Sequence, residues 1–282
     1  MTAQKKRSLQ ILMVLGLIAA AVWSIEAAST KTLTAQHAIP EHPLAIAPTL
    51  GKVNDGIQLA HVNGCFSCHG DQLTGRVVFD GWFGTRIVAP NLTRLVRRET
   101  DAQLAAAIRY GVNRDGTSVI EMPSKEFIKS SDSDVAAIIA YLRTLPERPD
   151  LVGKTRWRFD GRTMLVIGLL PSESAMVNAS DRGPLQTPKS PLELGRYITQ
   201  SHCSVCHGPD LSGETVESSP DLRVSIVHYS PAAFQHFFRT GEGQIGHGTG
   251  TMTKMIHSQF KYLTAADVDA IYVYLKANDR PG

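Results

Sequence analysis

The sequence predicts a mainly α fold: two tandem helical domains behind an N-terminal transmembrane helix or signal peptide. Three observations predict it: a five-residue motif that occurs twice, an internal duplication covering most of the chain after residue 50, and one uncharged apolar run near the N-terminus.

The motif is Cys-x-x-Cys-His, at Cys65-Phe66-Ser67-Cys68-His69 and again at Cys203-Ser204-Val205-Cys206-His207, and it uses all 4 cysteines of the chain. This spacing is the signature of covalent haem c attachment. Two thiols one helical turn apart can bond two vinyl groups on one porphyrin edge, and the adjoining imidazole reaches the iron beneath. The cofactor expectation is therefore two haem c groups, with Cys65, Cys68, Cys203 and Cys206 as attachment residues and His69 and His207 as first iron ligands. Two rival readings stand beside it. Four thiolates could hold one zinc, although the pairs lie 138 residues apart, far wider than a zinc ribbon. A thioredoxin-like dithiol would need a βαβ setting, and this sequence does not offer one.

The duplication sets the domain count. His69-Gly70-Asp71-Gln72-Leu73-Thr74-Gly75 matches His207-Gly208-Pro209-Asp210-Leu211-Ser212-Gly213, and Pro90-Asn91-Leu92 matches Pro220-Asp221-Leu222. Arg109-Tyr110-Gly111 answers Arg239-Thr240-Gly241. Met122, Phe127, Asp134 and Tyr141 then align with Met255, Phe260, Asp267 and Tyr274 at a constant offset of 133. The expected organisation is residues 1–30 as membrane anchor or signal peptide, 31–50 as tether, 51–148 as first domain, 149–190 as linker and 191–282 as second domain.

Within each domain the elements follow from local signals, and no run shows sustained strand alternation. A helix precedes each motif, over 52–63 and 192–200. A later helix starts at Thr100, with Gln103 completing a capping box, and its twin starts at Ser230 with Pro231 in the first helical position. The closing helix starts at Ser131 or Thr264, with Asp134 or Asp267 favourable in the first turn. Its apolar residues recur at helical spacing: Val135, Ile138, Ile139 and Leu142, then Val268, Ile271, Tyr272 and Leu275. Gly56 and Gly195 fall inside the pre-motif helices, where glycine costs about 1 kcal/mol relative to alanine. They predict close crossings with Tyr141 and Tyr274, the alternative being a mere helix start.

A haem held by one histidine needs a second axial ligand, whose identity sets whether the iron exchanges electrons or binds substrate. Met122, in a Gly-rich stretch between helices, is the candidate in the first domain. Met255 holds the equivalent place in the second, but Ile256 stands where the first copy has Pro123, and Met252, His247 and His257 are all within reach. Pro90 and Pro220 are candidates for the proximal side, where a backbone carbonyl can take the free ring N–H of the imidazole ligand. A simple turn is the alternative reading of each proline.

These motifs resemble the cytochrome c family over essentially everything after residue 50, so the resemblance implies two class I-like cytochrome c domains. The stretch Phe83-Gly84-Thr85-Arg86-Ile87-Val88-Ala89-Pro90-Asn91-Leu92-Thr93, with Met122-Pro123 and Tyr141-Leu142, is most similar to the cytochrome subunits of membrane-associated bacterial alcohol and sugar-acid dehydrogenases. Those subunits usually bear three haems, whereas two motifs stand here. The resemblance implies single-electron relay from a dehydrogenase-type donor to a cytochrome or oxidase acceptor, with no catalytic residue needed in this chain. The enzyme alternative is a dihaem peroxidase-like protein with one open or displaceable haem site.

At the N-terminus Lys5-Lys6-Arg7 precede an uncharged apolar run of seventeen residues, Leu9 to Ile25, just long enough to span a bilayer. The positive flank predicts a cytoplasmic start and places both domains on the periplasmic side of a bacterial inner membrane. Ala27-Ala28-Ser29 would permit cleavage and release into the periplasm. The stretch 146–191 holds six of the fifteen prolines and reads as a linker. Its apolar piece, Met164 to Leu170, is too short to cross a membrane; packing, haem cover and partner docking are all open to it. The first domain also has eight extra residues between its motif histidine and Pro90, including Trp82 and Phe83. Formal net charge is +3, and no basic stripe suggests nucleic acid.

Overall fold

The computed structural model describes residues 3–38, 50–177, 188–214, 219–243 and 250–278. Helix α1 (Ala3–Thr34) carries the apolar run, with Leu9, Leu12, Leu17 and Trp23 exposed. Its stretch Gln4–Thr34 is long and apolar enough to cross a membrane, with a mean hydropathy of 2.1 over an 18-residue window. The helix continues four residues into the expected tether, where half-buried Leu33 packs against Ile87, Leu165 and Leu170; residues 39–49 of that tether lie outside the described residues.

The first module comprises α2 (Leu50–Val62), α3 (Cys65–His69), β1 (Arg76–Asp80), β2 (Arg86–Ala89), α4 (Leu92–Arg98), α5 (Asp101–Tyr110), α6 (Ser124–Phe127) and α7 (Asp132–Thr144). Two short helices follow in the expected linker, α8 (Phe159–Val166) and α9 (Glu173–Met176). The second module comprises α10 (Pro191–Ile198), a π turn over Thr199–Cys203, α11 (Ser204–His207), α12 (Leu222–Ser225), α13 (Pro231–Thr240), α14 (Thr251–Ser258) and α15 (Ala265–Ala277).

The capping signals act as read. Thr100 accepts from Gln103 N and Gln103 Oε1 accepts from Thr100 N, at 3.2 and 2.9 Å. Thr264 and Asp267 close the same reciprocal box on α15. Ser131 and Ser230 each accept from the backbone N–H three residues on. The strand expectation needs correction: the stretch that contains the eight extra residues folds as an antiparallel hairpin of β1 and β2, bulged between Val77 and Phe79. Val77, Val78 and Phe79 favour extended backbone, but two strands this short give a periodicity test too few residues.

One helix crossing organises each module. A Cβ on Gly56 would overlap the Ala137 carbonyl of α7 and lie 2.7 Å from Tyr141 Cβ; a Cβ on Gly195 would meet the Ala270 carbonyl of α15 and lie 2.7 Å from Tyr274 Cβ. The absent side chain thus lets two backbones touch, at the tyrosines the sequence named. Around the first crossing Leu73, Val96, Leu104, Val135, Ile139 and Leu142 form the core. The second core is more aromatic, with Phe234, Phe237, Phe238 and Phe260 packed on Ile198, Ile256, Ile271 and Leu275.

The modules face each other through reciprocal contacts. Gln58 and Tyr197 each stand two residues after the crossing glycine, and Asp134 and Asp267 are equivalent capping-turn residues. Gln58 donates to Asp267 at 2.9 Å, and the Tyr197 hydroxyl donates to Asp134 at 2.5 Å while accepting from Ser131 N at 2.9 Å. Lys129 reaches Gln200 O, and at the equivalent positions with roles exchanged His61 stacks on Tyr262 at 3.8 Å. Repeats paired this way approximate a two-fold axis.

Replacing Gly56 by alanine should lower stability by on the order of 1–3 kcal/mol, because the new methyl has nowhere to go but into the α7 backbone. Chemical denaturation followed by far-UV circular dichroism checks this; a midpoint equal to wild type would mean that the crossing is not tight.

Candidate haem sites

Each site is built from the motif outward by a short strained loop. After His69, Gly70 turns the chain and Leu73 adopts a left-handed φ of 56° while wholly buried; Leu211 does the same at 63°. A left-handed conformation in a branched apolar residue persists only where its surroundings insist on it. Here they do: Gly75 N donates to His69 O at 2.9 Å and Leu92 N donates to Leu73 O at 2.9 Å, and Gly213, His207, Leu222 and Leu211 repeat both bonds. The loop thereby draws the chain two residues upstream of Leu92, or of Leu222, beneath the motif histidine.

The consequence is a matched pair of hydrogen bonds. His69 Nδ1 lies 2.8 Å from Pro90 O, and His207 Nδ1 lies 2.8 Å from Pro220 O. A carbonyl can only accept, so Nδ1 is the protonated nitrogen and Nε2 keeps its lone pair for a metal. Both rings are buried, and burial holds the His69 pKa below the ordinary histidine range, favouring the neutral imidazole that ligation requires.

The cysteines are half-buried beside these rings. Burial pushes the Cys65 and Cys203 thiols up to about 12, which keeps them neutral. Among the described residues no three His, Cys, Asp or Glu side chains converge as a metal cluster, so the two Cys-x-x-Cys pairs do not assemble a zinc tetrathiolate.

In the second module a cavity of about 410 Å³ opens in front of the motif. Cys203, Cys206, His207 and Pro220 line one side; Met252 and Met255 join it from α14, and Phe234, Phe237, Phe238 and Phe260 complete an apolar wall. Ser201 Oγ, buried on this cavity's wall without a hydrogen-bond partner, is an orphaned donor of the kind a bound group satisfies. The donor set and the apolar shape fit a haem. Met252 and Met255 are three residues apart on one helix and share a face. His257 instead bonds Thr240 O at 2.8 Å and is exposed, and His247 lies outside the described residues.

In the first module Met122 is half-buried immediately before α6. Glu121, its neighbour, holds a left-handed φ of 70°. It stands near enough to Cys68 that its charge adds to burial in raising that thiol's pKa, against the opposing pull of Arg76. Ser124 Oγ ties the methionine segment to Ala107 O of α5 at 2.9 Å.

Sequence reasoning missed one brace. Glu173 of α9, in the expected linker, is buried, and its carboxylate lies near the backbone N–H groups of Lys125 and Ser124 at the start of α6. Burial raises its pKa and these N–H groups oppose the rise. An acidic side chain set at a helix start by another segment leaves no local sequence signal.

The cytochrome c family profile matches residues 53–146 and 192–279. The chain belongs to the cytochrome c family. This cytochrome is 24% identical over 268 residues to the fructose dehydrogenase cytochrome subunit of Gluconobacter japonicus, covering 84% of this chain and 55% of the relative. It is 25% identical over 266 residues to the alcohol dehydrogenase (quinone) cytochrome c subunit of Gluconacetobacter polyoxogenes, covering 80% of this chain and 55% of that subunit. The gluconate 2-dehydrogenase cytochrome c subunit of Pantoea cypripedii is 24% identical over 266 residues, at 80% and 59% coverage. The chain thus spans somewhat over half the length of the curated relatives it matches. Membership of the family implies that the cytochrome binds haem c.

Replacing Glu173 by alanine should remove the carboxylate from the start of α6 and cost about 1 kcal/mol. Guanidinium denaturation measures it; an unchanged midpoint would show that the carboxylate braces nothing.

Proposed function

We propose that this cytochrome holds two haem c groups and relays single electrons from a dehydrogenase-type donor to a respiratory acceptor, anchored by residues 9–25 on the periplasmic side of a bacterial inner membrane. The observation that carries the reading is the twin imidazole geometry: two buried histidines, each in a Cys-x-x-Cys-His motif, each oriented by a proline carbonyl at 2.8 Å.

In this reading Cys65 and Cys68 hold one haem and Cys203 and Cys206 the other. His69 and His207 ligate from the proximal side, Met122 and Met255 from the distal side, and Pro90 and Pro220 orient the imidazoles. When bound, the haem supplies a reversible one-electron couple at iron. The chain's contribution is to fix both axial ligands, so that little rearranges when charge changes, and to exclude water with the aromatic wall around the second site. Val62, Asn63, Pro123 and Phe127 of the first module also line the second cavity, which favours electron passage directly between the modules. The relatives' names, subunits of fructose, alcohol and gluconate dehydrogenases, support a dehydrogenase as donor; a cytochrome or oxidase is the acceptor class.

Voltammetry of the purified protein should give two reversible one-electron waves, with no rapid carbon monoxide binding after reduction. Met122→Ala should lower one wave and let carbon monoxide bind at that haem alone, since a thioether ligand stabilises ferrous iron. Efficient peroxide reduction by the unaltered protein, or two unshifted waves in the variant, would overturn the reading.

A further inference from the structure

The hairpin tip between β1 and β2 combines two properties that ordinary loops do not share: it is held rigidly, and it presents large aromatics outward. Trp82 is 99% and Phe83 71% exposed. Yet Phe83 N donates to Asp160 Oδ2 at 3.0 Å, Asp160 also bonds the Thr85 hydroxyl, and Arg156 Nε donates to Gly84 O at 2.9 Å. The Phe83 ring meets Phe159 of α8 edge-on at 6.4 Å. None of Trp82, Phe83 and Phe159 lines the cavity of the second module.

The position of this tip follows from α8. Arg162 pairs with Glu26 at 3.1 Å and donates to Ser29 and Thr30 of α1 at 2.9 and 3.0 Å. Ser29 is fully buried, and Leu33 packs against the cluster of Ile87, Leu165 and Leu170. The hairpin, α8 and the end of α1 therefore form one packed unit. Glu26 directly follows Ile25, the last residue of the apolar run. Phe159, one turn before Arg162, and the tip that touches it are thus held beside the point where α1 leaves its apolar stretch. Lys154, Arg156 and Arg158 are exposed on the segment that passes the tip.

Aromatic residues with tryptophan among them prefer the headgroup level of a bilayer, and flanking cations are drawn to anionic lipid. We infer that Trp82, Phe83 and Phe159, with Lys154, Arg156 and Arg158, form an interfacial lipid-binding surface that seats the first module on the bilayer spanned by α1. The inference rests on the membrane anchoring proposed above. It gives the haem modules a defined orientation to the membrane, unlike a free tether.

The test uses the full-length, haem-loaded protein reconstituted in phosphatidylethanolamine–phosphatidylglycerol vesicles. With the four native cysteines in thioether bonds, a nitroxide label reports one introduced thiol at a time: Trp82→Cys, Phe83→Cys as a second reporter, Leu17→Cys within α1, and Val273→Cys on α15 as an aqueous reference. Power-saturation measurements then compare collisions with oxygen, which partitions into lipid, and with a water-soluble nickel chelate. The inference expects an oxygen-to-nickel ratio at positions 82 and 83 several-fold above that at 273, with 17 higher still. Lipid-like values at 17 with water-like values at both 82 and 83 would overturn this inference alone and leave the tip to solvent or a protein partner. Water-like values at 17 as well would overturn the anchoring and the inference together.

Discussion

Close contact between two helix backbones, at a glycine in each module, is the constraint on which the rest of this cytochrome depends. The Ala137 and Ala270 carbonyls occupy the space that side chains on Gly56 and Gly195 would fill. Because α2 leads into the motif helix within a few residues, and α10 does so through its π turn, the depth of that crossing fixes where the thiols and imidazole emerge. It also brings the first turn of α7 against α10 of the other module, where Tyr197 bonds Asp134 and Ser131. One small residue thereby couples intramodule packing to the pairing of the two modules.

The second determinant is strain placed beside the motif histidine. Leu73 and Leu211 are buried in a left-handed conformation, and each is held there by a carbonyl that accepts from the residue two beyond the proline. The cost, about 1–3 kcal/mol for such a residue, is offset by the surrounding core. What the strain secures is a proline carbonyl at hydrogen-bonding distance from the motif imidazole. Between the modules, α8 and α9 act as struts more than as spacer: α8 joins α1 to the hairpin, and buried Glu173 of α9 sits by the start of α6, just beyond Met122. The two methionine segments also differ locally, Met122 preceding a four-residue helix and Met255 lying within an eight-residue one.

Much of this was legible in the sequence because it is local or duplicated. Thr100 with Gln103 and Thr264 with Asp267 are short-range hydrogen-bond patterns, and the mid-helix glycines stood out because their cost recurred at equivalent places. The carbonyl partners at Pro90 and Pro220 could be anticipated since a ring N–H near a metal needs an acceptor. The hairpin was not legible: its strands have five and four residues, a bulge interrupts them, and Arg156, which pairs with Arg86, is far along the chain. Nor were Glu173 and the Gln58–Asp267 and Tyr197–Asp134 contacts, whose partners are brought together only by tertiary packing. Met252 illustrates a different limit, since only the helical register of α14 shows that it shares a cavity wall with Met255.

The central claim is that two macrocycles are bound covalently, one in each module. Intact-mass spectrometry of the purified protein under denaturing conditions tests it most directly, because thioether bonds survive unfolding and axial ligation does not. The expected mass exceeds the polypeptide's, after any N-terminal processing, by two haem groups, reduced to one in a Cys203→Ala, Cys206→Ala double variant. A polypeptide mass without haem, or with a single haem in the unaltered chain, would contradict it.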